Sequence, residues 1–410
     1  MSSAALRSNP LRPEIMLLFT SAMVIFVFTV TVGILNGTDI VDFDQKTILT
    51  HVHTGTLGWL TLSVFAAAFW LFGQEDASDT LRKAARWLAV AAVVAIVAYN
   101  VAFLTTYGNW RPVLGSVVLA VIAGVFLWVL ACLRSARLTT PHVGVLAAAG
   151  TSIAGGVLGV LLGIQVATGN EIFSDTGIDA HPATMVIGFL IPVGMALAEW
   201  ALFWPRPEPV TRSGYWQMGL PFVGGILIMV GLLADLPPLI MLSLPFEVGG
   251  VGIFFYRMRD RLRDTPLLGV GAHRLASASS VFIVANIGLL VYMVVRYEGD
   301  FDNAPLNEVL ALDHVMFIGV MTNAVIALFT AMTADRRANA AIVDHLVFFA
   351  INAGIIVFAV GLFADLTWLK RVATPVMGGG ILLALAAHAA WFWLPRAGES
   401  RAEAAAATGQ

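Results

Sequence analysis

Residues 47–60 read TILTHVHTGTLGWL, with two histidines, His51 and His53, at the mouth of a run otherwise as apolar as a membrane helix. The rest of the chain keeps that character. Of its 410 residues 59% are hydrophobic and 12% charged, with a mean hydropathy of +0.85, the composition of a polytopic membrane protein. About 20 apolar residues cross the hydrocarbon of a bilayer. Twelve such runs are predicted, at 14–36, 53–73, 84–106, 112–133, 143–167, 182–203, 216–234, 238–256, 275–295, 310–333, 343–364 and 373–395. The first lacks a cleavage site and is too long for a signal-peptide core, so a retained helix is expected. The fold class is an all-α polytopic membrane protein, one twelve-helix domain over 1–410, with an Ala-rich tail at 396–410 expected to be disordered.

Orientation follows from where Lys and Arg collect in short loops. Arg7, Arg12, Arg82, Lys83, Arg86, Arg134, Arg137, Arg206, Arg212, Arg257, Arg259, Arg261, Arg263, Arg336, Arg337, Arg396 and Arg401 lie before the first run or after an even-numbered one. Both termini are therefore expected in the cytoplasm. The opposite loops are acidic, carrying Asp39, Asp42 and Asp44; Glu171, Asp175 and Asp179; and Glu298, Asp300, Asp302 and Glu308. A single cysteine, Cys132, excludes an internal disulfide and a cysteine-ligated metal cluster. The net charge of −3 and the lack of a basic patch with interleaved aromatics leave no sign of a nucleic-acid partner.

Each acidic loop leads into a run that opens with histidine: LTHVHTGTLGWLTL, IDAHPATMVIGFLI and ALDHVMFIGVMTNA. His53, His181 and His314 open the second, sixth and tenth runs, which suggests four helices repeated three times, at about 14–134, 143–263 and 275–395. GLLADLPPL at 231–239 and GLFADLTWL at 361–369 repeat a second marker. Ionisable side chains inside a membrane usually serve function, although an interfacial imidazole is also at home there. His51 and His53, two apart on a helix, differ by about 200° in direction. They cannot share one ion, but each can hold a metal on its own side, and Gly55 and Gly58 leave room for a flat cofactor.

HVHTGTLGWL resembles the His-x-His-Ser/Thr-Gly-x-Leu-Gly-Trp stretch on the tenth helix of subunit I of cbb3-type haem-copper oxidases, relatives of the nitric oxide reductases. That resemblance implies a twelve-helix fold with pseudo-threefold symmetry. It also implies one or two haems of b type, a high-spin one at His51 and a low-spin one at His53. In this chain the stretch lies on the second run, so two assignments stand open. In a permuted one, AHPATMVIGFL makes His181 the partner of His53, and LDHVMFIGVM makes His314 a candidate copper ligand. In the unpermuted one, His53 and His314 share the low-spin haem and His181 faces copper. The family's His-His pair is absent, so the copper site is in question; Asp235 and Asp365 stand in the corresponding stretch, as ligands for a harder ion or as interfacial residues.

Haem propionates need cations at the outer rim, and Arg111, Arg296, Lys370 and Arg371 are the outward-side candidates. Glu247, near the middle of the eighth run, is either a proton-path carboxylate or a structural one, and Glu199 lies in the cytoplasmic half of the sixth. His142, His273 and His345 read as interfacial, and His388 is unassigned. The resemblance implies an oxidoreductase subunit of cytochrome oxidase or nitric oxide reductase type in a bacterial-type cytoplasmic membrane. Its ligand would be a small gas, NO or O2, and its partner a cytochrome c-type subunit, since the chain has no CxxCH. A rival class is a transporter with internal repeats, drawing on Glu247 and the glycines. A third is a copper-handling protein whose three outer histidines meet on the axis.

Overall fold

In a computed structural model, residues 9–73, 78–105, 110–204, 207–297, 301–337 and 340–394 are described. The expected tail at 396–410, and Arg7, Arg206, Glu298, Asp300, Arg396 and Arg401, lie outside them. Twelve helices among the described residues are long and apolar enough to cross a membrane. They are α1 (Arg12–Gly37), α2 (Gln45–Phe72), α3 (Asp79–Thr105), α4 (Trp110–Cys132), α5 (Thr140–Thr168), α6 (Asp175–Leu202), α7 (Arg212–Leu233), α8 (Pro237–Asp264), α9 (Ala272–Arg296), α10 (Leu306–Met332), α11 (Ala341–Phe363) and α12 (Thr367–Trp393). The chain is an all-α polytopic membrane protein.

The helices α2 and α6 start well before their apolar runs because caps launch polar turns. Asp44 accepts the Thr47 N–H at 2.9 Å, and Ser174 accepts that of Gly177 at 3.2 Å. The histidines therefore do not open their helices. His51 and His53 stand about two turns inside α2. At the other end α8 runs on to Asp264, past the 256 expected, as a charged extension in which Arg259 lies 3.9 Å over the Tyr256 ring.

Three helices form the centre. The apolar windows of α2, α6 and α10 are each 89% buried, against 28–56% for the other nine. Around them run three arches of helices in contact: α3–α4–α5 from α2 to α6, α7–α8–α9 from α6 to α10, and α11–α12–α1 from α10 to α2.

Each central helix widens into a π-helix, over Thr54–Thr61, Thr184–Leu190 and Val315–Thr322. The wider i→i+5 pattern leaves backbone carbonyls in want of donors, and at bilayer depth they must find them in the protein. Thr61 and Thr322 turn their hydroxyls to the carbonyls of Thr56 and Phe317, at 3.0 and 2.9 Å. The preceding helix also contributes: Thr151 of α5 donates to the Gly188 carbonyl, and Ser279 of α9 to that of Val320 at 2.9 Å. Thr29 of α1 bonds Thr54 at 2.8 Å, and the Trp59 indole donates to Thr322 at 3.1 Å, tying α2 to α10.

On the side opposite the histidines, Glu199 of α6 is a structural carboxylate. Arg257 of α8 donates to its two oxygens at 2.8 and 2.9 Å, and Gln217 of α7 donates at 2.9 Å.

The crossing of α6 and α7 is set by backbone contact. A Cβ on Gly225 would stand 2.5 Å from the Cα of Gly188, so Gly225→Ala must force the helices apart, a cost of about 1–3 kcal/mol. Gly252 has nothing within 4 Å of such a Cβ, and Gly252→Ala is expected to stay within about 0.5 kcal/mol. Thermal unfolding in detergent compares the two; equal shifts would contradict this packing.

Candidate functional site: two facing histidine pairs

Four histidines share one local chemistry. Nδ1 of His51 lies 2.9 Å from the Thr29 carbonyl, that of His53 2.7 Å from Leu49, that of His181 2.8 Å from Gly155 and that of His314 2.7 Å from Leu310. A carbonyl only accepts, so Nδ1 carries the proton and Nε2 is left as a lone-pair donor, the arrangement that orients a metal-ligating imidazole. No described residue hydrogen-bonds any of these four Nε2 atoms. None of them is among the buried polar atoms without a partner, so each borders accessible space. His142 differs: Nδ1 meets Thr139 at 2.7 Å and Nε2 the Leu71 carbonyl at 2.8 Å, so its ring is fully used in holding structure.

The four rings fall into two classes. His51 and His181 bond the helix before their own, α1 and α5, and glycines make room for them. A Cβ at Gly33 would stand 3.2 Å from the His51 ring, and one at Gly159 2.7 Å from the His181 ring. His53 and His314 bond the carbonyl four residues back on their own helix and pack on the following one. His53 stacks on Phe103 of α3 at 4.1 Å, and His314 lies 4.9 Å from Phe358 of α11. The π-helices begin three residues after His51 and His181 and one after His53 and His314. Matching His53, His181 and His314 as one position is therefore corrected: the counterpart of His181 is His51, and that of His53 is Ala183.

Two pairs result. His53, turned toward α3, and His181, turned toward α5, border the first arch and are near enough to interact electrostatically. His314, turned toward α11, and His51, turned toward α1, border the arch α11–α12–α1 and interact likewise. The α7–α8–α9 arch is faced instead by Ala183 and Leu312, the counterparts of His53 and His51. Nowhere among the described residues do three or more His, Cys, Asp or Glu converge to hold a metal ion. Three outer histidines thus do not meet on the axis.

Arg111 joins the first pair: it is buried, its guanidinium lies 4.2 Å over Phe103, and it interacts with His53. Arg371 and Lys370 lie on the α11–α12–α1 arch, where both donate to Asp39, at 2.7 and 2.9 Å. Arg296 is exposed at the end of α9, on the arch that neither histidine pair borders. Glu247 is on that arch too. It is fully buried, with neither oxygen bonded, and a Cβ at Gly224 would stand 2.2 Å from its Oε1. Sequence reasoning missed Phe103, Phe358, Gly33 and Gly159, whose only signal is their place on the helices next to the histidines.

Asp235 and Asp365 are turn residues. Each has φ near +50°, at 50° and 52°, one past the helix C-cap. The following N–H, of Leu236 or Leu366, reaches back 2.8 Å to the carbonyl of Gly231 or Gly361, closing a Schellman cap. Asp39, φ 57°, ends α1 in the same way. Glycine tolerates this conformation better, so Asp235→Gly should keep or raise the melting temperature and leave any bound metal in place. Loss of metal on that substitution would return Asp235 to the ligands.

Hydrogen bonds from Lys370, and then from Arg371, hold the Asp39 carboxyl below its ordinary value of 3.8. A lowered folded-state value means that the stabilisation is fully present above the unfolded pKa and is lost as pH falls through the folded one. The melting-temperature gap between wild type and Asp39→Asn should stay flat from about pH 7 to 5 and close below about pH 4. A gap that changes between pH 7 and 5 would contradict this pairing. No protein-family model matches the chain, and no curated protein is found to be related to it.

Proposed function

We propose that this chain is a haem-binding subunit of a membrane electron-transfer system, similar to subunit I of the haem-copper oxidases with the roles of its central helices permuted. One arrangement carries the reading: histidines two apart on α2 border different arches, and each lies within electrostatic range of a single histidine from another central helix. Four imidazoles with Nδ1–H fixed and Nε2 open would supply ligands in two places, His53 with His181 and His51 with or without His314, and glycines seat two of the rings. The donor set suits b-type haem, which supplies one-electron chemistry and, where an axial position is free, a place for a diatomic ligand.

Within this reading His53 and His181 would hold the low-spin group, with the positive charge of Arg111 beside it. His51 would hold the second group from the other side of the same helix. His314, on the same arch as His51, would serve as a further ligand there or as one copper ligand. Copper is the less supported partner, because nitrogen-rich ligation holds it and no three His, Cys, Asp or Glu converge among the described residues. Lys370 and Arg371 already share Asp39, so a propionate there competes with a carboxylate. NO or O2 as the gas, a cytochrome c-type partner and a bacterial-type cytoplasmic membrane belong to the same proposal through the family resemblance.

A reduced-minus-oxidised optical spectrum of the detergent-purified protein, with a pyridine haemochrome count, tests it. Two haems per chain are expected, one of them lost in both His53→Ala and His181→Ala. CO binding should be lost in His51→Ala. A colourless wild-type protein, or His53 and His181 variants that lose different haems, would contradict the pairing.

A further inference from the structure

At the end of the bundle opposite the histidines, a cleft of about 110 Å³ opens between α6, α8 and α9, lined by Leu202, Arg261, Asp264, Thr265 and His273. One water takes about 30 Å³ in the liquid, so the cleft has room for a polyatomic group. The charge along the end of α8 does not balance. Arg257 pairs with Glu199 at 2.8 Å. Arg259 pairs with Asp260 at 3.7 Å, and Arg263 with Asp260 at 3.6 Å and Asp264 at 3.2 Å. Arg261 is left over, with no carboxylate in an ion pair with it among the described residues. Its guanidinium lies instead 4.7 Å over the ring of Phe203, at the wall of the cleft.

The other walls leave that excess in place. His273 stands near enough to Arg261 to interact electrostatically, and the Thr265 hydroxyl donates to the Arg261 carbonyl at 2.7 Å, adding no charge. Gly271, the N-cap of α9, offers no side-chain acceptor, so the positive end of that helix adds to the same field. Depth fixes what the field meets. The 28 residues of α8 rise about 42 Å at about 1.5 Å each, against about 30 Å of hydrocarbon. With Pro237 at one edge of that layer, residues 257–264 stand among the lipid headgroups of the other. The connection from α8 to α9 then exposes Leu267, Leu268 and Val270, by 65%, 74% and 55%, so apolar side chains flank a cationic cleft at the depth of lipid phosphates.

We propose that this cleft binds the phosphate of an anionic phospholipid from the leaflet at that end, with Arg261 and His273 on the phosphate and Leu267 and Leu268 against the glycerol and acyl chains. A guanidinium suits phosphate oxygens, and basic pockets between membrane helices suit lipid headgroups. Free phosphate shares the charge but gains nothing from the leucines. The cleft lies on the α7–α8–α9 arch, which neither histidine pair borders, and does not rest on the haem reading. A lipid held there ties the extension of α8 to α6 and α9.

The test uses the full-length protein, delipidated in a nonionic detergent, with thermal unfolding followed as lipid is added in mixed micelles. Phosphatidylglycerol should raise the melting temperature saturably, by about 2 °C or more, as a ligand that binds only the folded state does. Zwitterionic phosphatidylcholine should give less than half of that rise. Arg261→Gln, at an exposed position, should bring the phosphatidylglycerol response down to the phosphatidylcholine level, whereas Arg259→Gln, which removes an equal charge outside the cleft, should keep it. Equal responses to the two lipids would overturn the proposal, as would a full response in Arg261→Gln or the same rise with inorganic phosphate alone. Native mass spectrometry of the wild type gives an independent reading: one phosphatidylglycerol retained per chain is expected, and none retained refutes the site.

Discussion

A carbonyl at the centre of a bilayer has no water to turn to, and that constraint shapes the middle of this protein. Each of α2, α6 and α10 widens into a π-helix about two and a half turns from its N-terminal end, freeing backbone acceptors. Threonine and serine hydroxyls, on the same helix and on the helix before it, take them up. These bonds fix the rotation of each central helix against its neighbour. The direction in which a histidine just above the π-segment points is thereby fixed as well. Moving the π onset by one residue would turn His51 or His53 away from its partner.

The three arches are built alike but equipped differently. Two are faced by histidine pairs, with positive charge nearby at Arg111 and at Lys370 and Arg371. The third is faced by Ala183 and Leu312 and holds Glu247 without a hydrogen-bond partner. An unpartnered carboxylate at that depth is expensive when ionised, and its separation from the histidines argues against direct participation at either pair. One helix, α2, serves both equipped arches because residues two apart on a helix face nearly opposite ways.

Much of the fold could be read from the chain. Twelve apolar runs correspond to twelve spanning helices because hydropathy integrates over about 20 residues and tolerates local error. The ends were less legible: capped polar turns at Asp44 and Ser174 and the charged extension of α8 carry no apolar signal. The histidines themselves could be picked out, since ionisable residues stand out against an apolar run. Their alignment could not, because it depends on where the π-helix starts, and TLGW, VIGF and FIGV look like ordinary helix. The ADL stretches tempted a ligand reading, whereas backbone φ makes their aspartates helix caps. Pairing across helices, His53 with His181 and His51 with His314, lies in tertiary geometry that spacing along the chain does not carry.

The central claim is that α2 separates two histidine pairs, one bordering each of two arches, and that each pair is proposed to hold a haem. Anomalous scattering at the iron edge from crystals of the purified protein addresses it directly. The account predicts two iron peaks per chain, one between His53 and His181 and the other beside His51 on the side of His314. A single peak on the axis of the three central helices, or none, would contradict it.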